Sequence, residues 1–411
     1  MPMIRGRDIR RMLLVSLAVP AIAVAQKTKT AATVTTITGD DLKVACAIDV
    51  NAALRSVAPA DRPDMSKVQE CNDPGAIYIG MDAGFTHLSP DGGDGANIFS
   101  LPVQSLRITF PVGQQFRLEV PLALNWSKVS DVNSTSIETG LIADMFLNDL
   151  LGSKGHPAGT GLYAGIGGLL HFDDYDGSSD TQFGVLGRAG YEFPFNNTRM
   201  RIGALFEHRF ETDSTSGGNL FGVTWGVGFP IYGERYQHGN GSTIEGVDAV
   251  SVQFFGGASY SKPSEGDGTT SFDIPAPTFG LMFHPGETRQ LGVGARTSFQ
   301  YASYGDNSYR YLNFNPRLEY MLSPNFFTNN GIRIGAQAII NNVNYDYGSS
   351  NGGTQFGVGG DVSLTIPHVP NLFVLGIGVD RLFKNEDLGR PASTNIRVDI
   401  GIERFLFDSR R

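Results

Sequence analysis

The sequence predicts an all-β chain: sixteen antiparallel strands closing into a membrane-spanning β-barrel, laid out as two eight-stranded repeats. Three observations predict it. Sixteen strand-length segments alternate apolar with other residues. Two halves of the chain share residues at one fixed spacing. The non-apolar faces carry glycine and charges of both signs, while lysine nearly vanishes after residue 75.

The first element is the N-terminus. Arg5, Arg7, Arg10 and Arg11 precede the apolar run Met12 to Val24, and Ala23-Val24-Ala25 fits a small-x-small cleavage site. Residues 1–25 therefore read as a signal peptide. Residues 26–74 are polar and read as a periplasmic segment. Export exposes Cys46 and Cys71, the only two cysteines, to an oxidising compartment, where they are expected to form a disulfide.

Residues 75–232 and 248–411 are strand-rich, joined by a polar linker at 233–247. Thr181-Gln182-Phe183-Gly184-Val185 returns as Thr354-Gln355-Phe356-Gly357-Val358, Leu118 as Leu291, Phe210 as Phe383 and Gly228 as Gly401, all 173 residues apart. Chance does not hold one offset over such a length, so the halves read as an internal duplication. The first divides into segments near 76–88, 98–110, 115–128, 136–148, 160–173, 182–194, 199–210 and 220–231. The second divides near 248–261, 272–284, 289–303, 309–322, 331–344, 355–366, 372–383 and 394–406. Such lengths suit tilted membrane strands.

The faces decide between lipid and water. Phe221, Val223, Trp225, Val227 and Phe229 share one side of a segment whose other side is Gly222, Thr224, Gly226 and Gly228. Phe116 to Trp126 oppose Arg117 and Glu119 in the same way. Only Lys128, Lys154, Lys262 and Lys384 follow residue 75, each at a segment end or in a loop, as expected where a mid-membrane lysine costs about 2–4 kcal/mol. Phe85, Phe110, Trp126, Phe172, Phe193, Phe210 and Phe229 lie near segment ends, like interface girdles. Polar connections at 89–96, 173–180 and 211–218 place one end outside and the tighter connections in the periplasm.

On these patterns residues 75–407 resemble the outer-membrane β-barrel families of Gram-negative bacteria, particularly the small opacity-type and porin-like eight-stranded barrels. The chain departs from their aromatic C-terminus: Asp408 to Arg411 follow Phe407. The resemblance implies outer-membrane lipid and the barrel insertion machinery as partners.

The inward set Asp82, Arg107, Arg117, Glu119, Arg188, Glu192, Arg201, Glu207 and Arg209, with Arg296, Arg317, Glu319, Arg397, Asp399 and Glu403, reads as a charge network filling a narrow lumen. Two tandem eight-stranded barrels are therefore expected over one sixteen-stranded barrel. The seven histidines show no metal-ligand spacing. His171 is expected to be a solvated strand-end histidine, the alternative being a lumen position near Asp173, and His87 with Ser89 makes a poor hydrolase pair. Neither Asp-rich loop, at 89–95 or 265–268, completes a calcium motif. No cofactor or metal is expected. A net charge of −9 without a basic patch excludes nucleic acid. The expected role is a non-enzymatic structural or surface-interaction barrel, whose extracellular loops meet a ligand the sequence does not name. The alternative is a porin-like channel through one sixteen-stranded pore.

Overall fold

A computed structural model describes residues 77–411 except 92–93, 102–104, 113–114, 148–159, 196–197, 233–248, 275–277, 287, 289, 323–329, 347–349, 369–370, 387 and 409–411. The expected signal peptide, the 26–74 segment with its expected Cys46–Cys71 disulfide, and the linker lie outside the described residues.

Eighteen strands follow in order. The first unit holds β1 (Ile77–Pro90), β2 (Ala96–Leu101), β3 (Leu106–Val112), β4 (Phe116–Val129), β5 (Val132–Phe146), β6 (Gly161–Tyr175), β7 (Ser178–Phe195), β8 (Thr198–Arg209) and β9 (Gly218–Tyr232). The second holds β10 (Ala249–Pro263), β11 (Thr269–Ile274), β12 (Phe279–His284), β13 (Leu291–Tyr304), β14 (Asn307–Met321), β15 (Gly331–Asp346), β16 (Ser350–His368), β17 (Asn371–Leu382) and β18 (Ser393–Asp408). The expected segments 98–110 and 272–284 are each two strands, β2 with β3 and β11 with β12. β2 ends at Leu101 and β3 begins at Leu106, and β11 ends at Ile274 and β12 begins at Phe279, with Pro102 and Pro275-Ala276-Pro277 in the intervening sequence.

The sheet is closed and its pairings antiparallel. Its pairing changes along its height. We call the end carrying the turns at 130–131 and 176–177 the rim, and the opposite end the base. Toward the rim, β2 pairs with β1 on one side and with β13 of the second unit on the other. There β11 likewise pairs with β10 and with β4 of the first unit. One circuit of sixteen strands results. Toward the base, β3 lies between β1 and β4, and β12 between β10 and β13. With β1 paired to β9 and β10 to β18, the base halves pair as two circuits of eight. The barrel thus has sixteen strands. The preference for two separate barrels fails in the rim half, where the β2–β13 and β4–β11 ladders join the units.

Outward faces are apolar and exposed, as the alternation predicts. On β15, Ile332, Ile334, Ala336, Ala338 and Ile340 point outward before Asn342, Asn344 and Asp346 take over toward the rim. That belt is roughly 20 Å tall at about 3.4 Å per residue and a 40° tilt, close to the apolar band of membrane barrels. Large apolar side chains stand exposed around both units, among them Ile166, Ile202, Val223, Val362, Ile377 and Ile400. One expected girdle residue behaves differently. Phe229 points outward yet is only 1% exposed, because its ring packs on Phe254 of the second unit, centroids 5.0 Å apart.

The polar stretch 173–180 is mostly strand, not loop. β6 and β7 run on to a two-residue turn, Asp176-Gly177, with φ of 51° and 82°. Both angles are positive, as a type I′ hairpin requires, and Asp-Gly suits it. Gly177→Ala is expected to lower stability by about 1–2 kcal/mol from backbone strain alone, since no other atoms crowd that position. Urea unfolding of the folded barrel checks this; an unchanged midpoint would contradict the strain argument.

Candidate functional site

An eight-stranded circuit is just wide enough for side chains to fill, whereas sixteen strands leave a channel. The inward faces of the base halves follow the first case. In the first unit, Glu119 on β4 accepts from Arg188 Nη1 on β7 at 2.6 Å and Arg201 Nη1 on β8 at 2.9 Å. Arg107 on β3 reaches Asp82 on β1 at 2.9 Å, and Arg201 grips the same carboxylate. Asp144 on β5 accepts from Arg117 Nε at 2.6 Å and Arg188 Nη2 at 2.5 Å. Arg117 also binds Glu192 on β7, while its guanidinium lies over Tyr163, 4.7 Å from the ring centroid. These ties cross the lumen between six strands. Glycine makes room for them: a Cβ on Gly165 or Gly226 would overlap the Asp144 or Asp82 carboxylate. Toward the rim, Ile142, Leu169 and Leu186 form an aliphatic layer with Leu205.

The second unit reaches the same end with different residues. Arg317 on β14 binds Glu319 and, at 2.5 Å, Asp361 on β16. Arg333 on β15 joins Glu319 at 2.9 Å to Glu403 on β18 at 2.6 Å. Arg397 on β18 holds Asp361 and Asp399, each at 3.0 Å, and Asp380. Arg296 on β13 reaches Asp399 at 3.4 Å. Arg333, Arg317, Glu319 and Glu403 are all but sealed from solvent. An uncompensated charge there would be prohibitively costly, so the pairing is a condition of burial.

Most of the network residues expected from sequence meet here. Two meet elsewhere: Glu207 and Arg209 pair at 3.0 Å nearer the rim, where Glu207 also accepts from His171 Nε2 at 2.6 Å. His171 thus faces the lumen and not solvent. Alternation alone did not single out Asp144, Arg333, Asp361 or Asp380. Asp144 stands between outward Ala143 and Met145, and Arg333 between outward Ile332 and Ile334, so at these two the period-2 signal was available; Asp361 and Asp380 have a large apolar neighbour on one side only, Val362 and Val379.

Two arrangements bear on chemistry. His87 turns to Asn97, 2.9 Å away, on the outward face. A Ser-His-Glu group exists in the second unit, with His284 Nε2 3.0 Å from Ser251 Oγ and 3.2 Å from Glu403. Both partners meet the same ring nitrogen, Nδ1 has none, and all three residues are buried. A nucleophile relay needs the carboxylate on Nδ1 and the hydroxyl in reach of substrate, so this group is part of the filling. Among the described residues no cluster could hold a metal ion.

No protein-family model and no curated protein matches the chain. Solved structures do. Its structural neighbours are outer-membrane β-barrel proteins. Neisserial surface protein A is 14% identical, covering 38% of this chain and 96% of its own at a TM-score of 0.25. The CymD monoaromatic hydrocarbon channel is 8% identical, covering 91% and 98% at 0.29. The toluene transporter TodX of Pseudomonas putida is 13% identical, covering 87% and 94% at 0.26. The likeness is one of strands closed into a barrel.

Proposed function

We propose that this chain is a non-enzymatic outer-membrane β-barrel that acts through its rim and does not conduct solutes. One observation carries the reading: ion-paired side chains cross both base lumens, so the wide rim half opens onto two filled floors. The charges neutralise one another and present no lined path for an ion. The rim faces the exterior and the base the periplasm. Outer-membrane lipid surrounds the apolar belt, the insertion machinery delivers the chain, and an extracellular ligand meets the rim.

We read the two units as copies of one ancestor. The filling itself supports this. Asp144 and Arg188 pair at 2.5 Å, and the residues 173 positions on, Arg317 and Asp361, pair at 2.5 Å with the charges exchanged. Independent units would have little reason to place one ion pair at matching positions with reversed sign.

Purified protein in planar bilayers is expected to give no steady conductance. A stable open-pore current from the wild-type chain would overturn the filled-lumen reading in favour of a porin-like channel.

A further inference from the structure

Where the two base circuits stand side by side, their outward faces meet. Met81 and Phe229 of the first unit point out of their own circuit yet are buried. Phe229 packs on Phe254, and Phe254 on Phe279, with centroids 5.0 and 5.8 Å apart. The seam is not filled. It leaves a hollow of about 230 Å³, lined by Ile79 and Leu106 from the first unit and by Phe254, Ile274, Phe373 and Ile402 from the second. Gly256 borders it on the outward face of β10, where a side chain would point toward Ile274, so its missing Cβ leaves room there.

We propose that this hollow binds one acyl chain of a phospholipid. Water is a poor occupant, since it needs two to four polar partners and the walls are apolar. Emptiness is also unfavourable, because atoms lining a void lose their dispersion contacts on one side. An apolar cavity of about 150 Å³ already accepts benzene, so this larger one accommodates a length of hydrocarbon chain. Hydrocarbon is at hand: Ile400, which also lines the hollow, is half exposed on the lipid-facing side of β18. The hollow lies mainly in the base half, among Ile79, Phe229, Phe373 and Ile402, with Ile274 at the lower end of β11 bounding it toward the rim. On the proposed orientation, the one point where this inference rests on the functional reading, that half sits in the periplasmic leaflet, which is phospholipid. The bound chain would fill the part of the seam that Phe229, Phe254 and their neighbours leave open.

The test uses the whole protein in vesicles containing a phospholipid with a photoactivatable acyl chain, followed by mass spectrometry of the adducts. Labelling is expected to concentrate several-fold on peptides carrying Ile79, Leu106 and Ile402 over the equally apolar face around Ile166. Leu106→Trp and Ile402→Phe, which fill the hollow from either unit, are expected to abolish that enrichment, while Ile166→Trp leaves it intact. Native mass spectrometry after a delipidating wash is expected to retain one phospholipid on the wild-type chain. Uniform labelling of the wild-type protein, or retention of lipid A in place of phospholipid, would overturn the proposal. A protein that does not enter vesicles at all would instead sink the membrane reading beneath it.

Discussion

Replacing Glu119 with alanine is expected to lower the unfolding free energy of the barrel by about 3–5 kcal/mol, the usual cost of breaking a buried ion pair from one side. Glu119 is 1% exposed and takes charge from three guanidiniums, those of Arg188, Arg201 and Arg107 at 2.6, 2.9 and 3.5 Å. Its loss leaves those cations with Asp82 and Asp144, which are already shared. Nothing in the filled lumen can rehydrate them. Glu386→Ala provides the contrast. Its pair with Lys384 is also short, 3.0 Å, but both side chains are largely exposed, so the change should stay within about 1 kcal/mol. Urea unfolding in phospholipid vesicles, followed by fluorescence of Trp126 and Trp225, measures both. Equal effects at the two sites would mean that the first lumen is wet, and the filled-floor reading would fall with it.

The sequence made the strands and their faces legible because both depend on local alternation. Arg117 and Glu119 between Phe116, Leu118 and Val120 can face only the side away from lipid, whatever the rest of the chain does. The exchange of partners was not legible for the same reason. β2 and β11 alternate as their neighbours do, and nothing in Phe99 or Phe272 says that the strand beside each belongs to the other unit. Pairing across units is a matter of long-range register, settled by the whole closed sheet. The prolines between β2 and β3 and between β11 and β12 marked the place of the exchange without revealing its form. Phe229 shows the related limit. Its alternation placed it correctly outward, but only packing between the units decides that outward means seam and not lipid. The charge filling was legible in kind and in most of its members. Asp144 slipped through because β5 begins at Val132, earlier than expected, and its outward face carries Thr135 and Thr139 among the apolar residues.

Ile166→Arg is expected to destabilise the barrel by about 2–4 kcal/mol in a bilayer, and this substitution isolates the membrane claim from every other. Ile166 is 74% exposed on the outward face of β6, between Leu162 and Phe172 at either edge of the apolar belt. Its cross-strand partners are Ala143 and Gly187, so the side chain gives up almost no packing when replaced. In water such a change at so open a site would stay within about 0.5 kcal/mol, and a charge would if anything aid solubility. The whole predicted cost therefore comes from the medium that the residue faces. It should also depend on depth: Phe172→Arg, near the rim edge of the belt, is expected to cost about 1 kcal/mol or less, because the guanidinium can reach the interface. Equilibrium unfolding of both variants in vesicles gives the two values. If Ile166→Arg proved neutral, or the two positions cost the same, the exposed apolar belt would not be bathed in hydrocarbon. The inward charges would then have to be explained without a membrane.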